Sequence, residues 1–265
     1  MKTHNNHSST DLRLTFNEDE ANYDKWRPSY VPELFDEIIK YSDLDKSKRA
    51  LEIGIGTGLA TLPILQTNCK LTAIELGDRL AEYSKRKFAA YNNFEVINTA
   101  FEDFHADNNS FDLIYSATAF HWIPEEVGYA KVFKLLKSGG VLALFWNHPS
   151  VYHTNYSLHL EIQKIYKKLK PFDKEPVEFE SSNCKKIIDV INKYGFKNCH
   201  SKLFYNTRTF TADSYIALLN TYSDHIALSI DIKTKLENGV ADAINRFGGT
   251  LQIYDTMDLY LAQKP

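Results

Sequence analysis

Cysteine is nearly absent. Cys69, Cys184 and Cys199 are an odd number, far apart, with no CxxC pair. That excludes a disulfide scaffold or a zinc ribbon and suits idle thiols in a reducing compartment. Long apolar runs are also missing. None approaches the ~20 residues that span a bilayer, and "MKTHNNHSSTDLRLTF" has no apolar core of a secretion signal. A soluble, cytoplasmic protein with no membrane partner is expected. No charge dominates either. The net charge of −3 provides no basic field for nucleic acid. His148, His153 and His159 lack metal-ligand spacing, and His4 and His7 fall in a polar tail, so no metal is expected. Glycine is sparse, 11 residues, yet Gly54, Gly56 and Gly58 alternate in one short stretch, "LEIGIGTG".

What is present is an alternation. Residues 1–15 read as a loose tail and 16–265 as one domain. Within it, 16–45 form an N-terminal lid, 46–147 a ligand-binding core, and 148–265 a C-terminal lid with the last strands. In the core, short apolar strands ("RALEIG", "KLTAIEL", "FEVINTA", "FDLIYSA", "VLALFWN") alternate with helical patterns. "GLATLPILQT" reads as a helix that Pro63 disturbs. "EEVGYAKVFKLLKSGG" reads as a helix ended by Gly139 and Gly140. Apolar strands alternating with helices predict a parallel sheet covered on both faces. Right-handed crossovers gather the strands' C-terminal ends on one edge, where ligands bind at the switch point. After Asn147 several helices follow, and "GTLQIYDTMDLYLAQK" reads as a long final strand.

The glycine turn discriminates among ligands. A P-loop needs Lys after its last Gly, but Leu59 and Ala60 follow Gly58. A dinucleotide fingerprint needs Gly or Ala where Leu59 or Thr61 stands. Tyr83/Lys87 and Tyr166/Lys170 match the Tyr-xxx-Lys letters of a short-chain reductase, but in the wrong context. What remains is Glu52-x-Gly54-x-Gly56-x-Gly58, with Glu75 ending the next strand. A carboxylate there accepts hydrogen bonds from both hydroxyls of a ribose. A sulfonium nucleoside without phosphates fits this pattern.

Five segments in order carry a resemblance: "LEIGIGTG", "AIEL", "TAFEDF", "FDLIYSATAFHWI" and "LLKSGGVLAL". The chain resembles the class I S-adenosylmethionine-dependent methyltransferases. "YDKWRPSYVPELF", "AFEDF" and "SATAFHWI" resemble the trans-aconitate methyltransferase-like branch of small-molecule enzymes, although Val31 separates Tyr30 from Pro32. The resemblance implies an α/β, Rossmann-like, doubly wound and mostly parallel seven-stranded sheet. An antiparallel C-terminal strand and helical lid elements complete it. It implies S-adenosyl-L-methionine as cofactor, a small-molecule acceptor with carboxylates among the candidates, and a monomer or homodimer. The alternatives are a protein that binds this cofactor or its product without methylating, and a nicotinamide oxidoreductase, which the glycine spacing disfavours.

The resemblance also implies residue roles. Gly54, Gly56 and Gly58 let backbone amides approach the methionine part. Glu52 reaches the cofactor's amino end, directly or through water, or holds a structural partner. Glu75 takes the ribose. Leu76 and Phe101 sandwich adenine, and Glu102 lies at its edge. Ser116 and Ala117 leave room near the methyl group. His121 serves as a general base, orients the acceptor, or holds its loop. Trp122 and Trp146 wall the acceptor pocket. Arg27 suits a carboxylate, on cofactor or substrate. Tyr23, Trp26 and Tyr30 line the lid, and Tyr222 and His225 reach in from the C-terminal part.

Overall fold

Strand-forming and helix-forming stretches take turns along the chain, and their order decides where the ligand edge falls. The computed structural model describes residues 20–151, 155–170 and 177–265. The tail 1–15 and His153 lie outside the described residues. The helices are α1 (Glu20–Trp26), α2 (Pro32–Ser42), α3 (Thr61–Leu65), α4 (Asp78–Lys87), α5 (Glu125–Leu135), α6 (Tyr156–Leu169), α7 (Cys184–Lys193), α8 (Ala212–Leu219), α9 (Ser223–Ile226) and α10 (Ile230–Arg246). The strands are β1 (Arg49–Ile53), β2 (Lys70–Glu75), β3 (Phe94–Asn98), β4 (Phe111–Ala117), β5 (Leu136–Ser150), β6 (Lys197–Thr211) and β7 (Thr250–Gln263).

They form one seven-stranded sheet in the order β3-β2-β1-β4-β5-β7-β6. β1 to β5 are parallel. β7 is antiparallel to both β5 and β6. Strand order reverses between β1 and β4, so the switch-point crevice opens at their C-terminal ends.

Successive strand residues point to opposite faces, and both faces are covered. Ala50, Leu113, Ala143 and Leu259 face α2 and α3, where Leu34, Ile38 and Ile64 are fully buried. Leu51, Ile114, Leu142 and Tyr260 face α5 and α7. This two-sided burial explains why the inner strands β1, β2, β4 and β5 lack polar alternation, whereas the edge strands β3 and β6 stay largely exposed. Of the predicted N-terminal lid, α2 packs into the core and begins with Pro32, where a proline needs no amide partner. A third cluster, built on Leu158, Leu218, Leu236 and Val240, joins α6, α8 and α10. No helix among the described residues is long and apolar enough to cross a membrane.

Two local readings need correction. The helix expected over "GLATLPILQT" covers only Thr61–Leu65. Pro63 lies in its first turn, where amides have no helical acceptor anyway. The Gly139–Gly140 pair does not end α5. Leu136 is already extended (φ −69°, ψ 141°) and fully buried, pairing with Phe111. Its burial draws the chain into β5 before the glycines. Gly139 (φ 77°) and Gly140 instead accommodate the irregular register between Phe111 and Leu113. A Cβ on Gly140 would sit 2.9 Å from the Lys137 carbonyl oxygen.

Candidate functional site

The loop after β1 is held from below and from the side. The amides of Gly54 and Ile55 both donate to the Ile74 carbonyl, at 2.9 and 3.1 Å. Gly54 (φ 74°) and Gly56 (φ 56°) adopt left-handed backbone, which glycine enters without a steric cost. Glu75 closes the loop: its Oε2 accepts from the Gly56 amide (2.8 Å) and its Oε1 from the Gly77 amide (2.9 Å). Burial raises the Glu75 pKa, and these amides counter part of that rise. Each carboxylate oxygen has a second lone pair, so Glu75 still has acceptor capacity toward the crevice.

A cavity of about 280 Å³ opens above these strand ends. Glu75, Leu76, Phe101 and Glu102 form one side, and Ala117, His121 and Trp122 another. Arg27 and Tyr222 contribute from the N-terminal segment and the C-terminal helices. The Arg27 guanidinium lies 4.4 Å from the Tyr222 ring centroid and donates to the Thr221 carbonyl at 2.7 Å. A smaller chamber of about 80 Å³ shares Arg27, Gly54, Gly56, Ala117 and Tyr222, and adds Tyr30, Glu52, Thr57 and Asn147. The Tyr30 hydroxyl is 2.6 Å from the Thr118 hydroxyl, linking the segment before α2 to the end of β4.

Three buried oxygens on this smaller chamber have no hydrogen-bond partner: Glu52 Oε1, Thr57 Oγ1 and Asn147 Oδ1. Buried polar atoms are rarely left so. The other Glu52 oxygen accepts from the Thr61 hydroxyl (2.7 Å) and the Tyr115 hydroxyl (2.8 Å). Asn147 is oriented by Asp255, whose Oδ1 accepts from its Nδ2 at 2.7 Å. Asp255 is in turn paired with Arg208 through two guanidinium nitrogens. The chamber therefore presents acceptors suited to a small cationic nitrogen.

Burial lifts the Glu52 pKa from 4.5 to about 7; the Thr61 and Tyr115 bonds oppose this and Glu75 adds to it. The folded protein thus keeps a proton that the unfolded chain releases. The resulting stabilisation is complete below pH 4.5 and is lost as pH rises to about 7. Denaturant unfolding across that window reads it. Wild type should lose up to ~1.4 kcal/mol per pH unit relative to Glu52→Gln, and a pH-independent difference would contradict it.

The segment after β3 is anchored by a residue that sequence reading missed. Lys131 of α5 donates to the carbonyls of Phe101 (2.8 Å) and Glu102 (2.9 Å) and sits 5.2 Å from the Phe101 ring centroid. A lone lysine in an amphipathic helix gives no sequence signal for this. Lys131→Met removes two charge-assisted bonds and loosens that wall. Calorimetry with S-adenosylhomocysteine, the product of the cofactor that the resemblance implies, should show binding weakened by about three- to tenfold, a fraction of the ~1.5–3 kcal/mol such bonds are worth.

Other expected site residues lie elsewhere. Ser116 is fully buried and donates to the Ile53 carbonyl at 2.8 Å, fastening β4 to β1 instead of lining the cavity. Gly58 (φ 79°) lines neither chamber; a Cβ there would stand 2.3 Å from the Phe88 ring, so it serves the packing of α4. Trp26 packs against the α6–α8–α10 cluster. Its carbonyl accepts from Arg208 at 3.4 Å. Trp146 lines neither chamber and donates instead to His121 Nδ1 at 3.1 Å. His225 is buried with its Nε2 3.0 Å from the Tyr166 hydroxyl, away from both chambers. The Tyr23 side chain lies outside the described residues. Among the described residues no cluster of His, Cys, Asp or Glu could hold a metal.

Residues 50–140 match a family described as a methyltransferase domain. A Schizosaccharomyces pombe protein, itself an uncharacterised methyltransferase-like protein, is 27% identical over 95% of this chain and 96% of its own length. A protein of Anaeromyxobacter dehalogenans described as a type II methyltransferase superposes with a TM-score of 0.60. It has 17% identity and covers 90% of this chain and 98% of its own. Phosphoethanolamine N-methyltransferase 2 of Haemonchus contortus, solved with phosphomonomethylethanolamine and S-adenosylhomocysteine, gives a TM-score of 0.54. It has 13% identity over 97% of this chain and 58% of that one. At such identities the two structures speak for the fold. The glycine turn by its letters favoured a sulfonium nucleoside over a phosphate-bearing cofactor, and the comparisons agree: residues 50–140 form a methyltransferase domain, and the chain is an S-adenosylmethionine-dependent methyltransferase.

Proposed function

We propose that the protein methylates a small-molecule carboxylate. The observation that carries this is Arg27, which lines both chambers beside Ala117 and whose guanidinium rests on the Tyr222 ring. A planar guanidinium with several donors suits a carboxylate. The chambers are small, which favours a small acceptor over a macromolecule.

The chain's own residues fit the cofactor. The unpartnered Glu52, Thr57 and Asn147 oxygens suit its ammonium group, Glu75 its ribose hydroxyls, and Leu76 and Phe101 its adenine. Bound, the sulfonium supplies an activated methyl group whose electron pair returns to sulfur on transfer. The protein's task is then to hold two reactants in line, which is worth about 7–11 kcal/mol in well-aligned systems. An ionised carboxylate loses no proton on methylation and needs no base.

The test is incubation with methyl-labelled S-adenosylmethionine and a panel of small carboxylic, hydroxyl and amine acceptors, trans-aconitate included, read by mass spectrometry. Methyl esters should form. Label appearing only on amines or hydroxyls would overturn the carboxylate reading.

A further inference from the structure

His121 stands at the cavity wall in the 3₁₀ turn Phe120–Trp122. Its Nδ1 receives the indole N–H of Trp146 at 3.1 Å. An indole nitrogen donates and never accepts. Nδ1 must therefore keep its lone pair, and the neutral ring carries its hydrogen on Nε2.

Trp146 is itself held in place. Its backbone amide donates to Asp258 Oδ1 at 3.1 Å, and Asp258 is 2% exposed. The other Asp258 oxygen accepts from the Tyr260 hydroxyl at 2.7 Å, and the Tyr260 ring meets Trp146 edge-on at 5.8 Å. Trp146 and Asp258 are register partners between β5 and β7. Trp146 is thus held by two paired strands.

We propose that Trp146 is a positioning residue that fixes His121 as a neutral Nε2–H donor at the pocket wall, so that His121 orients the methyl acceptor and removes no proton from it. Protonating Nδ1 would set two N–H groups against each other. Partial desolvation at the cavity wall also lowers the His121 pKa, although the residue as a whole stays exposed to solvent. The catalytic consequence rests on the proposed function, because it takes this cavity as the acceptor's. The tautomer does not.

The experiment is nitrogen NMR of the full chain with ¹⁵N-labelled histidine and saturating S-adenosylhomocysteine. His121 is assigned as the signal lost in His121→Gln. Wild type should show His121 as a single Nε2–H tautomer from about pH 6 to 8. Trp146→Phe keeps an aromatic ring and loses only the donor; it should give a mixture of tautomers and a higher pKa. A wild-type Nδ1–H tautomer, or one unchanged in Trp146→Phe, overturns the proposal, and the wild-type spectrum decides even if the variant misfolds. A second readout uses a carboxylate that the acceptor panel finds to be turned over. His121→Gln retains an N–H donor and should keep kcat within about tenfold, whereas loss of a base costs about 10²–10⁴-fold. Trp146→Phe should raise KM for the acceptor more than it lowers kcat. If no carboxylate is turned over, the proposed function fails while the tautomer result stands by itself.

Discussion

Glu75→Ala should bind S-adenosylhomocysteine about a hundredfold more weakly than wild type, measured by calorimetry. The carboxylate does two jobs. It ties the Gly56 and Gly77 amides at 2.8 and 2.9 Å, and it presents its remaining lone pairs to the crevice. Hydrogen bonds to a charged group are worth about 1.5–3 kcal/mol each, and every 1.4 kcal/mol is about tenfold. Losing the two ribose contacts proposed for Glu75 would account for the hundredfold, and slackening of the Gly56 amide would add to it. Glu75→Gln should recover part of the loss, because one oxygen acceptor survives. Affinity within threefold of wild type in the alanine variant would remove Glu75 from the cofactor site.

The second large effect separates two glycines of the same motif. Gly54→Ala and Gly58→Ala should each destabilise the fold by about 2–5 kcal/mol in denaturant unfolding. Left-handed backbone costs a non-glycine residue about 1–2 kcal/mol, and overpacking adds about 1–3 kcal/mol. At Gly54 the new Cβ would lie 2.5 Å from Ala119 Cβ; at Gly58 it would lie 2.3 Å from Phe88 Cε2. The functional consequences differ. Gly54 borders both chambers, so its variant should also lose cofactor affinity by at least tenfold. Gly58 borders neither, so the folded fraction of its variant should bind nearly as wild type. Equal losses of affinity would show that Gly58 acts on the ligand and not on α4.

How much of this was legible beforehand follows the range of each interaction. That Glu75 ends β2 beside the glycine loop was readable because both sit within one β–α–β unit, where spacing alone fixes their neighbours. Ser116 was misplaced because its direction depends on β1: the hydroxyl turns to the Ile53 carbonyl. Asn147 carries no signal of its own. It becomes an oriented acceptor only because Asp255 and Arg208, on β7 and β6, reach it. His225 sits near Tyr222 in sequence, yet the short α9 turns it toward Tyr166 while Tyr222 faces the cavity.

By itself the sequence determined the strand–helix alternation, the two-sided sheet, the ligand edge and the acidic-glycine pattern of the cofactor. These rest on local periodicity and on backbone freedom at single residues. The tertiary structure alone decided that β7 inserts between β5 and β6, and with it the support under Trp146 and Asn147. It decided which of the motif's side chains reach the cavity and which nitrogen of His121 carries hydrogen. Those outcomes depend on partners from other elements, some far off in sequence: Asp255 lies 108 residues from Asn147, and Asp258 lies 112 from Trp146. No spacing within a segment encodes them, because the sheet must close before the partners meet.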